Sequence, residues 1–176
     1  MSPQAELKVS VQGRFLCVEV TNLGAPAIFN GIVQPGRGTA SAAVARPALW
    51  HDTLAADRKI NTGESATIRI AQRDRPASEH EFDDRKHVHP EGTQAWRMCY
   101  FRKGAGASLE RICPVVRRDE SSEHDGVVLT LMSDPPMPAR TIVKSIELEG
   151  ARAIDADTGE EFRVVDSPRH YHSKYS

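Results

Sequence analysis

The sequence predicts an all-β protein, an antiparallel sandwich of about 8–10 short strands with long loops. Two stretches with the same grammar carry that prediction. Residues 18–33 read VEVTNLGAPAIFNGIV and residues 60–71 read INTGESATIRIA. Each sets a glycine turn beside a run in which alternate residues are apolar, the pattern of strands with one wet face and one dry face. No long helix is read anywhere in the chain, and turn residues recur between the apolar runs, as in sandwiches and barrels.

The strands follow in order. Leu7, Val9 and Val11 alternate with Lys8 and Ser10, and Gln12-Gly13 signals a hairpin. Residues 14–21 return, and Asn22 and Gly24 suit left-handed backbone at the end of that strand. Ala27, Phe29, Gly31 and Val33 share one face of a third strand. Residues 34–47 hold prolines and glycines and then TASAAVAR without a period, which reads as a long loop with one helical turn at 40–45. Leu49 and Trp50 open a short strand, with Trp50 as a core anchor. Residues 59–61 reach the Thr62-Gly63 turn, after which Ala66, Ile68 and Ile70 point inward and Thr67 and Arg69 outward.

Residues 73–92 are the most polar stretch, RDRPASEHEFDDRKHVHPEG, and read as a solvated loop. Residues 95–102 form a strand with aromatic residues on both faces, which suits a central position; Trp96 and Tyr100 are assigned to the core rather than to contacts. Gly104 and Gly106 turn the chain and residues 108–116 return, followed by a charged loop at 117–125. Val127, Leu129 and Leu131 form a strand, Asp134-Pro135-Pro136-Met137-Pro138 is an extended connector, and residues 142–148 form the next strand. Residues 152–154 and 162–165 make a last hairpin around Asp157-Thr158-Gly159. A single domain is expected over residues 1–166, with a disordered tail at 167–176.

Composition narrows the function classes. An apolar fraction of 39 %, taken with 12 glycines, is that of an ordinary globular domain. The 23 basic and 24 acidic residues leave a net charge of −1, so general electrostatic binding to nucleic acid is not expected. No run approaches the roughly 20 apolar residues that cross a bilayer, so membrane insertion is not expected. The opening MSPQAELKVSVQ lacks the pattern of a signal peptide, which points to a cytoplasmic protein. Cys17, Cys99 and Cys113 are an odd set without such a signal, which suits free thiols. By parity Cys17 lies opposite Leu16, Val18 and Val20, and Cys99 lies opposite Trp96, Met98 and Tyr100. Neither is on the clearer core face, so the inter-sheet disulfide of antibody domains is not expected.

VEVTNLG, followed by a loop and then INTGESATIRI, resembles bacterial immunoglobulin-like domains, in which a strand ends in a V-T-N-x-G corner and a later strand follows a G-E-S turn. The resemblance covers residues 10–71, is looser over 95–148, and does not reach 73–92 or the tail. It implies an immunoglobulin-like sandwich serving as a spacer, adhesion unit or docking surface, and it carries over no catalytic residue.

Several constellations were weighed for chemistry. His80, His87 and His89 share a loop with Glu79, Glu81, Asp83, Asp84 and Glu91, and two histidines two apart point the same way on an extended chain. Imidazole with carboxylate suits zinc or another transition metal. The competing reading is a plain hydrophilic loop, and it is the one adopted. A second pair, His170 and His172, lies in the tail. Asp155, Asp157, Gly159 and Glu160 are spaced too closely for an EF-hand and read as a hairpin turn. Gly36-Arg37-Gly38-Thr39 lacks the lysine and spacing of a P-loop, Ser65 lacks the second glycine of a nucleophile elbow, and Cys113 before Pro114 has only Arg111 nearby to activate it.

The expected function is therefore non-enzymatic, without a cofactor: an interaction or scaffold module that meets a protein partner, or a copy of itself, through the loops at 34–47 and 73–92. Arg37, Arg73, Arg75, Phe82 and Arg85 are the contact candidates. The alternatives are a metal-binding protein or metal-dependent enzyme built on His80, His87 and His89, and a structural component of a larger assembly.

Overall fold

The computed structural model describes residues 1–36, 44–73, 96–112 and 125–165. The described residues contain strands and turns and no helix. Thirteen strands are present among them: β1 (Ala5–Gln12), β2 (Phe15–Asn22), β3 (Ala27–Pro35), β4 (Arg46–Pro47), β5 (Leu49–Trp50), β6 (Asp57–Ile60), β7 (Ser65–Arg73), β8 (Trp96–Arg102), β9 (Gly106–Arg111), β10 (Asp125–Asp134), β11 (Thr141–Glu149), β12 (Arg152–Asp155) and β13 (Glu161–Arg163). This exceeds the expected 8–10, and the strand that no sequence reading placed is β4, at the end of the stretch expected as a loop.

The strands form two antiparallel sheets that do not close into a barrel. The first runs β1-β2-β7-β8-β9, with β5 also on β7; the second runs β13-β12-β11-β10-β3-β4, with β6 also on β3. The chain crosses between them at Ala48: β4 pairs with Ile32 and Val33 of β3, and β5 pairs with Ile68 and Arg69 of β7. Arg46 and Pro47, expected in a loop, are thus strand residues. Pro47 is tolerated there because β4 is an edge with no ladder bond required from its nitrogen.

The sandwich closes over one core to which both sheets contribute. Val18, Val20, Ile68, Ile70, Trp50, Trp96 and Met98 face Phe29, Val33, Val127, Leu129, Leu131, Ile146 and Leu148. Alternation places them there: paired positions such as Val18 with Ile68 and Leu129 with Val33 share a face. Gly31 belongs to the same face, and a Cβ there would meet Ala48 and Leu129 side chains at 3.1 Å.

One irregularity changes the outer face. Leu16 pairs with Ala71 and Cys17 with Arg69, so Ile70 is an extra residue opposite the same step of β2. The bulge turns both Ile70 and Ala71 into the core and inverts the parity of β7 beyond it. Gln72 then pairs with Phe15 and Arg97, and Arg73 pairs with the core residue Trp96. Strict alternation would have sent Arg73 outward.

Two of the tight turns the sequence marked show the backbone that glycine permits. Gly13 has φ 61° while Arg14 does not have positive φ, which fits a two-residue hairpin with glycine first. Gly63 has φ 78° in the turn between β6 and β7.

Candidate functional site

The described residues that flank 37–43, 74–95, 113–124 and 166–176 gather at one end of the sandwich. They are joined there by hydrogen bonds. Gly36 N donates to Gly126 O at 2.7 Å, Arg73 pairs with Trp96, and Ile112 N donates to Trp96 O at 3.1 Å. Val164 N donates to Ala151 O at 3.3 Å. The indole of Trp96 ties the sheets together at this end, with Nε1 donating to Gly150 O at 2.8 Å. A buried ring with its polar tip satisfied is a rigid post for whatever the end presents.

Of the contact candidates, Arg73 is a half-buried strand residue at that end, rather than a loop residue. Arg37, Arg75, Phe82 and Arg85 lie outside the described residues, as do His80, His87, His89, Cys113 and the His170/His172 pair. Among the described residues no group of three metal-ligating side chains is gathered.

The Asp155–Glu160 stretch is the turn the sequence suggested. Asp155 Oδ1 accepts from Asp157 N at 2.9 Å, Gly159 N donates to Asp155 O at 2.8 Å, and Gly159 has φ 74°. Lys144, on the core-facing parity of β11, fills the centre of this acidic cluster. Its Nζ lies 3.1 Å from Asp155 Oδ2 and 3.1 Å from Asp157 Oδ2. Burial opposes the charge on Lys144, but hydrogen bonds and charge from both carboxylates outweigh it and hold its pKa above the ordinary lysine value. The cluster's cation is supplied by the chain itself.

The cysteines differ from expectation in exposure, not in side. Cys17 and Cys99 stand on the outward parity of the first sheet, yet both are buried, and neither forms a disulfide among the described residues. Arg69 lies over the Phe15 ring at 4.2 Å beside Cys17. Burial pushes the Cys17 thiol up to about 11, with Arg69 pulling weakly the other way. Such a thiol is a small apolar filler rather than a nucleophile.

A second feature lies on the flank, between the edge strand β4 and the β8–β9 hairpin. A cleft of about 330 Å³ is lined by Arg46, Pro47, Tyr100, Phe101, Arg102 and Lys103. Tyr100 shares the inward parity of Trp96 and Met98 and packs against the rim of the core, so it serves as both core and cleft wall. The Arg46 guanidinium sits 5.4 Å from the centre of that ring. Arg46 Nη2 lies 3.5 Å from Glu110 Oε1, and Arg46 Nε is buried without a hydrogen-bond partner among the described residues. Among the described residues, Arg102 and Lys103 have no ion pair. Sequence reading missed this cleft because its walls come from β4 and from the β8–β9 hairpin, which no local pattern links. The nearest signal was a strand with aromatic residues on both faces, more than a core requires.

No protein-family model matches the chain, and no curated protein or solved structure matches it at a significant level.

Proposed function

We propose that this protein is a non-enzymatic interaction module, a β-sandwich of immunoglobulin-like type related to the bacterial domains that its turn motifs resemble. On this reading it meets a protein partner through the loop-bearing end. The observation that supports it is the gathering of the flanks of 37–43, 74–95 and 113–124 at one end of a two-sheet frame, held by the Trp96–Gly150 bond. Rigid frames with long connections at one end are a recurrent way to build recognition surfaces. The V-T-N-x-G corner and the G-E-S turn support the family reading.

The test places a photo-crosslinking residue at Arg37, Arg75, Phe82 or Arg85, and as a control at Lys59, which is exposed near the opposite end. The expected result is one partner protein, or a second copy of this chain, crosslinked from the loop positions and not from Lys59. Crosslinks that do not distinguish the two ends would overturn the reading. So would a stoichiometric metal in protein purified without a histidine tag, lost on His87→Ala and His89→Ala, which would move the function to the metal alternative.

A further inference from the structure

The flank cleft has an electrostatic shape of its own. Three of its six lining residues are cations, Arg46, Arg102 and Lys103, and the carboxylate nearest to Arg46, that of Glu110, stands beside the cleft rather than in its lining. The Arg46–Glu110 pairing is incomplete. A charge-assisted N–H···O bond runs about 2.7–2.9 Å, and a guanidinium engages a carboxylate best with two parallel bonds. Arg46 reaches Glu110 through Nη2, at 3.5 Å, while its Nε stays buried without a partner among the described residues. A buried unpartnered donor is destabilising, and a ligand oxygen would satisfy it. The side chain is also held in place. Tyr100 lies under the guanidinium at 5.4 Å, and Pro47 beside it has a fixed φ.

We infer that this cleft binds a carboxylate-bearing segment of a protein partner. The incoming carboxylate takes Arg46 through Nε and Nη2, and Arg102 and Lys103 at the hairpin supply further positive charge. Glu110 acts as a resident competitor whose contact is given up. A carboxylate is favoured because the cleft lining carries three cations and no acidic residue, Arg46 already turns toward a carboxylate beside the cleft, that of Glu110, and its planar fork matches that group. The cleft lies on the flank rather than at the loop-bearing end, so the two readings stand or fall separately.

The test is a titration of the intact chain with an acetylated, amidated tetraglutamate peptide, followed by amide chemical shifts at low and raised ionic strength. Saturable shifts are expected at Arg46 and at Tyr100, Phe101, Arg102 and Lys103, weakening with salt. Arg46→Gln is expected to weaken binding about tenfold, the scale of one charge-assisted bond. Glu110→Gln is expected to tighten it about threefold by removing the competitor. A gain in affinity cannot come from a damaged fold, so this second variant guards against misreading the first. Equal shifts with tetraglutamine, affinity unchanged in Arg46→Gln, or weakened binding in Glu110→Gln would each overturn the inference. Saturation by inorganic phosphate where tetraglutamate fails would overturn it in favour of a phosphate site.

Discussion

The Asn22 side chain and the Ile60 carbonyl, 38 positions apart in the chain, meet at 2.9 Å in the interior. Asn22 Nδ2 also donates to Ala25 O at 2.8 Å, and Oδ1 accepts from Gly24 N at 3.0 Å and Gln4 N at 3.3 Å. Its backbone adds Asn22 N to Glu64 O at 3.0 Å and accepts from Gly63 N at 2.7 Å. One buried carboxamide thus joins the V-T-N-x-G corner, the amino-terminal segment and the G-E-S turn with its polar capacity used.

Asn22→Ala is expected to lower unfolding stability by about 2–4 kcal/mol, since several buried backbone groups lose their partner at once. Asn22→Asp keeps the shape but loses both donors and turns a carboxylate toward two carbonyls, so its deficit should shrink as pH falls. Urea unfolding of both variants between acid and neutral pH checks this. A cost under about 0.5 kcal/mol for the alanine variant, typical of surface changes, would remove Asn22 from its structural role.

Gly24 is required by space rather than by backbone angle. A Cβ there would lie 2.0 Å from Ser2 O and 2.8 Å from Gln4 N. Gly24→Ala should therefore detach residues 2–4 and release the bonds from Leu23 N to Gln4 O and from Ala25 N to Ser2 O. Amide exchange at Leu23 and Ala25 is expected to accelerate at least tenfold, equivalent to about 1.4 kcal/mol of local stability.

Lys144 predicts an alkaline limit. Its folded pKa is raised, so its pairing with Asp155 and Asp157 is fully present below the ordinary value of 10.5 and is lost as pH rises through the raised value. At neutral pH Lys144→Met leaves Asp155 buried without its cation and is expected to cost about 3 kcal/mol. The urea midpoint of the parent should fall more steeply above that pH than the midpoint of the variant. Parallel curves would show that the pair does not carry the dependence.

Cys17 should resist alkylation. With its thiol pushed to about 11 and the side chain buried, the thiolate fraction near neutral pH is very small. Peptide mapping after iodoacetamide treatment is expected to find Cys17 unmodified in the native protein and fully modified in denaturant.

Trp96→Phe tests the post that joins the two sheets at Gly150. The variant keeps most of the ring but loses the bond from Nε1 to Gly150 O at 2.8 Å. The expected cost is about 1–3 kcal/mol from the stranded carbonyl and the smaller ring, read by thermal or urea unfolding.

Legibility varied with how local each feature was. Val127, Leu129 and Leu131 were readable because alternation is a property of one strand, and all three are buried. Trp50 and Trp96 were readable from their size. The bulge at Ile70 and Ala71 was not, since it arises from the register between β2 and β7, and that register decides that Arg73 turns inward. The burial of Cys17 and Cys99 was hidden for a similar reason: parity tells which face a residue occupies, not what covers that face.

The chain by itself determined the fold class, the strand periods and the glycine turns, because these follow from backbone sterics and apolar spacing within a few residues. Only the tertiary structure decided that Asn22 meets Ile60, that Lys144 fills the Asp155–Asp157 turn, and that Arg46 rests on Tyr100 beside Glu110. Each of those contacts joins residues from different strands or turns. Their distances are set by how two sheets stack and where each edge ends, and no short stretch of sequence encodes that.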